Sequence, residues 1–131
     1  MKQLKRRKTL WSALAVICVA FLLLPYLWRK FYFQAPTAAY YKLALALAQS
    51  DETKITQLAR PFTKQRLREL AVPYGGTSRF GKLMRQTPEV SPVVHMVATV
   101  DVFATIDNRE FMVQFSWRQG HWVADTAFFW N

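Results

Sequence analysis

An α+β domain carried behind one membrane-spanning helix is the architecture this sequence predicts, and three observations predict it. An uncharged apolar run fills residues 9–28, helix-forming segments dominate the stretch after it, and the final part of the chain alternates with period two. Helices first and strands afterwards favour an α+β layer packing over an alternating α/β one.

The apolar run comes first. Between Thr9 and Trp28 nearly every residue is apolar, including Leu10, Leu14, Val16, Ile17, Val19, Phe21 and Leu22–Leu24. A helix of that length rises about 30 Å, the thickness of a hydrocarbon core. Trp11 lies near one end, and Tyr26 and Trp28 near the other, where amphipathic aromatics favour the headgroup level. Pro25 falls in the last turn, so a kink there stays near the interface. Five basic residues precede the run and Arg29 and Lys30 follow it. That asymmetry places residues 1–8 in the cytoplasm, residues 9–28 in the lipid bilayer, and the rest outside. A cleaved signal peptide would have a shorter apolar region, and here the first small-x-small sites lie only within Gln34–Ala39. Val16 and Ile17 before Cys18 do not suit a lipoprotein site. A buried core helix is disfavoured because the run has no polar face.

Charge and cysteine then exclude two classes of function. The formal charge is +10, yet seven of the eighteen basic residues flank the apolar run and no acid precedes Asp51. The remaining eleven basic residues face eight acidic ones. The excess therefore belongs to the membrane flanks, and nucleic acid is not an expected partner. Cys18 is the sole cysteine and sits in the apolar run, which rules out a disulfide within the chain. Of the 131 residues, about a hundred remain for one small domain.

Residues 29–36 read as a juxtamembrane linker, with Phe31-Tyr32-Phe33 interfacial and Ala35-Pro36 breaking the helix; the domain then occupies 37–131. Thr37 is the expected cap of a helix to about Gln49, rich in alanine and leucine. Ser50-Asp51-Glu52 opens a second helix carrying Ile55, Leu58 and Ala59, which stops before Pro61. Pro61 opens a third through Leu70, whose charges read as a solvated face. Residues 71–92, interrupted by Pro73, Gly75, Gly76, Gly81, Pro88 and Pro92, read as irregular, with no assignment for Leu83-Met84.

From Val94 to Ile106 alternate residues form one apolar face, opposite a mixed face with His95, Val97, Asp101 and Phe103. Asp107-Asn108-Arg109-Glu110 is a turn, Phe111–Arg118 a second strand, Gln119-Gly120 another turn, and His121–Trp130 an aromatic-rich last strand. Three strands joined by tight turns make an antiparallel meander.

The stretch Tyr41–Asp51, a helix ending in a small-polar-acidic step, the short helices of Ile55–Leu67, and the strand pair Phe111–Arg118 and Gly120-His121-Trp122-Val123 together resemble the nuclear transport factor-like superfamily. That resemblance implies an α+β cone with helices packed on a curved antiparallel sheet. The superfamily contains isomerases and dehydratases as well as non-catalytic modules. With one membrane helix in front, the chain also resembles single-pass assembly factors of type IV secretion systems, implying a bacterial inner membrane and a periplasmic domain.

For chemistry, the strongest constellation the residues offer is Asp125 as general base with His121 and Tyr40 or Tyr41, or else Asp101 in an apolar pocket. Asp and His at alternate strand positions are more often solvated partners, so no catalytic residue is assigned. No spacing suits a metal or a cofactor. The aromatics either fill the core or line an apolar cavity. Phe128-Phe129-Trp130 must place rings on both sheet faces, and Phe103 joins them on the mixed face. Phe103, Trp117, Trp122, Asp125, Phe129 and Trp130 are the candidate interaction or pocket residues. The expected function is a non-enzymatic accessory or assembly subunit of an envelope complex, with a membrane or periplasmic protein partner or self-association. The alternative is a tethered small-ligand-binding or isomerase-type domain.

Overall fold

The computed structural model describes residues 2–87 and 89–130, with side chains from Arg6 onward. Met1, Pro88 and Asn131 lie outside the described residues, so the irregular reading of Pro88 and the last residue of the 37–131 domain go untested there. The chain is α+β: a long apolar N-terminal helix, then helices packed on an antiparallel sheet that does not close.

Helix α1 spans Lys2–Arg29 and is exposed throughout its described side chains. It is long and apolar enough to cross a membrane. It does not stop at the expected linker. A π-helical turn, Lys30–Gln34, carries it directly into α2, Ala35–Ala48. Proline has no N–H to donate, and its ring clashes with the carbonyl four residues back. The widened turn, in which the Ala35 N–H reaches Lys30 O, accommodates Pro36 without breaking the helix. Thr37 accordingly caps nothing: its hydroxyl donates to Phe33 O at 2.7 Å, inside the helix.

The next three segments follow the sequence reading. Helix α2 buries Ala39, Tyr40, Leu43, Ala44, Ala46 and Leu47. Ser50, at φ +53°, turns the chain. Asp51 caps α3 (Glu52–Leu58), its carboxylate accepting from Lys54 N at 3.3 Å. Pro61 occupies the first position of α4 (Pro61–Ala71).

Residues 71–87 are more regular than their punctuation implies. A 3₁₀ turn, Val72–Tyr74, ends at Gly75 (φ +93°), and Gly76 precedes a further helix, α5, over Thr77–Gln86. Gly81 is not a breaker there. A Cβ on it would lie 2.4 Å from Ala48 N and 2.7 Å from Ala44 O, so its missing side chain lets α5 lie directly on α2.

Among the described residues the sheet has four strands, not three, in the order β1 (Val90–Met96), β2 (Thr99–Ile106), β3 (Arg109–Arg118), β4 (His121–Trp130). The single strand expected over 94–106 breaks at Val97-Ala98, where Met96 pairs with Thr99 and Ala98 takes φ +60°. A left-handed alanine costs about 1–2 kcal/mol, which is why the sequence carries no turn signal there. The Gln119-Gly120 turn meets expectation, whereas the turn expected over 107–110 is only Asp107-Asn108, with Arg109 and Glu110 already paired in β3; both turns have positive φ throughout, the geometry that matches strand twist.

One sheet face, with Val100, Val102, Phe111, Val113, Phe115 and Ala124, packs on the helices. Phe80 of α5 sits fully buried among Tyr74, Phe111 and Phe129. Tyr40 is fully buried as well, its hydroxyl near the Thr87 side chain but in no aligned hydrogen bond. Burial pushes its phenol above the ordinary value. The sign follows directly. The unfolded phenol ionises near pH 10 and the folded one higher, so the folded state keeps its proton and loses stability as pH rises past about 10. Tyr40→Phe is expected to flatten that alkaline limb. By removing a buried hydroxyl that makes no aligned hydrogen bond it should also raise stability at pH 7 by about 1 kcal/mol. Urea titrations at pH 7 and pH 11 check both; a loss of stability at pH 7 would mean the hydroxyl is bonded.

Candidate functional site

The helices cover one face of the sheet, so the opposite face is where accessible side chains gather. Strand pairing sets their order. Phe103 of β2 stands opposite Met112 of β3, which stands opposite Phe128 of β4, making one apolar row across three strands. Trp130 extends it, its ring 5.3 Å from that of Phe128. Met112 is buried yet lies outside the core cluster shared with the helices, covered by this row. Phe103 and Phe128 are half-buried, and Trp130 is 50% exposed. Beside the row, Glu89, Ser91, Val93, Phe103, Thr105 and Glu110 line a shallow recess of about 460 Å³ with carboxylates at its rim.

Toward the other end the same face becomes polar. Gln114 Nε2 donates to Asp101 Oδ1 at 3.1 Å, and His95 Nδ1 lies 3.4 Å from Asp101 Oδ2. Ser116 donates to Asp125 Oδ2. Arg60 and Arg118 each stand 3.5 Å from Asp125 Oδ1, close enough for charge pairing although that oxygen accepts no aligned hydrogen bond. Asp101 is thus held by neighbours on the sheet face away from the helices, and Asp125 by Ser116 and Arg118 of that face together with Arg60 at the start of α4.

The sheet's two edges differ. Along β4, Ala59 forms a parallel bridge to Ala124, Arg60 N donates to Ala124 O, and Thr63 donates to Asp125 O. Strand β1 pairs with β2 alone. It carries Pro92, a residue suited to edge strands because it lacks a ladder donor, and exposes Val93 and Val94.

The six expected residues fall in three places. Phe103, Trp130 and Asp125 lie on the open face. Trp122 and Phe129 point into the core, Phe129 stacking on Tyr74 and lying under the Arg109 guanidinium. Trp117 sits where the long helix meets the sheet, its ring centroid 4.8 Å from Phe31 and 5.5 Å from Trp122. The Asp125, His121 and Tyr40 or Tyr41 grouping is not brought together. His121 Nε2 meets Gln57 O at 3.2 Å, Tyr41 donates to Thr87 O, and Tyr40 lies in the core. Among the described residues no three His, Cys, Asp or Glu side chains are placed to hold a metal. Met112 and Phe128 are the members of the row outside the six expected residues; the two-residue turn that the structure shows at Asp107-Asn108 puts Met112 opposite Phe103.

No family model matches the chain, and no curated protein or solved structure is significantly similar to it.

Proposed function

We propose that this chain is a single-pass protein of a bacterial inner membrane, N-terminus in the cytoplasm, whose periplasmic domain is a non-enzymatic accessory or assembly module. On this reading it binds a protein partner, or a second copy of itself, through the open face of its sheet. The row Phe103–Met112–Phe128, extended by Trp130, is the observation that carries it. Aromatic side chains left half-exposed in register on an uncovered face suit a docking patch with a desolvated centre and a polar rim. The order of helices before a meander remains compatible with the nuclear transport factor-like cone, a likeness proposed from element order alone. The ligand-binding alternative has less support. It needs an aspartate in an enclosed apolar pocket, whereas Asp101 and Asp125 are engaged on the open face.

Two measurements test the reading. Carbonate washing should leave the chain in the membrane fraction; release would remove the anchor. In mild detergent the full chain should run as a complex larger than its monomer. The double substitution Phe103→Glu with Phe128→Glu should dissolve that complex while leaving the circular dichroism spectrum unchanged. A wild-type chain that is strictly monomeric counts against the module.

A further inference from the structure

We propose that the β1–β2 hairpin tip, Met96-Val97, together with Trp117, is a second membrane contact that dips into the leaflet next to the anchor helix. The inference rests on the anchored reading of α1 and adds to it a site where the folded domain itself meets lipid.

The placement comes from contacts, not from exposure alone. Trp117 shares an apolar recess with Leu24, Leu27, Trp28 and Phe31. Leu24 lies four residues inside Trp28, so the recess begins about 6 Å within the apolar span at 1.5 Å of rise per residue. Trp117 N donates to Ala98 O at 2.9 Å, which fixes the β1–β2 turn beside that indole. The turn therefore stands at the level of the last turns of α1. What it presents there is apolar: Val97 is 88% exposed and Met96 63%. An 88%-exposed valine at the tip of a turn with no glycine is a poor choice for water and a good one for acyl chains.

The surroundings fit the same occupant. Trp28 and Tyr32 pack at 5.4 Å, and Phe31 packs on Trp122 at 4.9 Å, forming an aromatic collar of the kind favoured at headgroup depth. Arg29, Lys30 and Arg118 are exposed at this end, where anionic headgroups would meet them. The Asp107-Asn108 turn lies at the opposite end of β2, an eight-residue strand spanning about 25 Å, and it is polar. Of the turns at the two ends of β2, the one nearest the span is thus the apolar one. A protein partner at the tip would have to compete with lipid already beside it; the continuity with α1 favours the bilayer.

Site-directed spin labelling of the full chain in phosphatidylethanolamine–phosphatidylglycerol vesicles tests this. In a Cys18→Ala background, single cysteines replace Leu14, Val97 or Asp107, and collisions with oxygen and with a water-soluble nickel chelate are compared. The expected result is a label at 97 that favours oxygen over nickel at least several-fold more than the label at 107, and less than the label at 14. A label at 14 shielded from nickel with 97 as accessible as 107 overturns the hairpin contact and leaves the anchor standing. A label at 14 open to nickel overturns the anchor and the hairpin contact with it. Because Val97 is exposed, labelling it does not disturb the core.

Discussion

Gly81→Ala should lower the stability of the domain by about 2 kcal/mol, although alanine is the better helix former. In an exposed helix that exchange gains about 1 kcal/mol. Here the added methyl would lie 2.4 Å from Ala48 N and 2.7 Å from Ala44 O, both backbone atoms that no side-chain rotation can clear. Helices α2 and α5 must separate, and overpacking of this kind costs about 1–3 kcal/mol or more. The clash therefore outweighs the propensity. Gly81→Val, with two further carbons, should exceed what a domain of this size can absorb and leave it unfolded. Urea titration in micelles, followed by tryptophan fluorescence, should find a lower midpoint at unchanged slope for the alanine variant. An unchanged or raised midpoint would mean that the two helices pack less closely.

Phe80→Ala is expected to cost about 3–5 kcal/mol, the range for removing a fully buried phenylalanine. Its ring meets Phe111 edge-on at 5.4 Å and lies 5.6 Å from Tyr74 and 6.1 Å from Phe129, so truncation opens a hole between α5 and the sheet. These partners are tied to strands and turns and cannot all collapse inward. Phe62→Ala is the control: Phe62 is 75% exposed on α4, and its loss should stay within about 0.5 kcal/mol. Equal effects from the two substitutions would contradict this account of the core.

Those two residues also mark where sequence stops being legible. Helices α3 and α4 could be read because their ends carry chemistry of their own: Asp51 as a cap, Pro61 at a first position. The apolar span and the Gln119-Gly120 turn were equally plain, as was the presence, though not the length, of the turn after Ile106. Helix α5 was hidden because Gly81 signals a break unless one knows that α2 lies against it. Continuity through Pro36 was hidden because a π-helical turn has no sequence mark. The division of residues 94–106 into two strands was hidden because Ala98 adopts a left-handed conformation that its side chain does not favour.

The open face was half readable. The turn puts Phe103 opposite Met112 only once it is known to be the two residues Asp107-Asn108; counted from a four-residue turn over 107–110, Phe103 would face Gln114. The third member could not be found so, because the register between β3 and β4 slips at Gln114/Phe115. Counting outward from Gln119-Gly120 then misplaces everything beyond the bulge by one residue, which turns each side chain to the wrong face. Phe128 therefore joins the row and Phe129 turns into the core, where Phe111 and Tyr74 receive it.

The unbroken helical path from α1 into α2 has a mechanical consequence. A flexible tether would let its cargo tumble and sample every orientation. A stiff mast does not: with Trp117 and Trp122 wedged against Phe31 at its foot, the domain keeps a fixed orientation relative to α1. On the anchored reading, anything that meets the row of Phe103, Met112 and Phe128 must approach sideways along the membrane plane. Neighbouring copies or subunits standing in the same bilayer already satisfy that geometry, and so need spend little orientational entropy in docking.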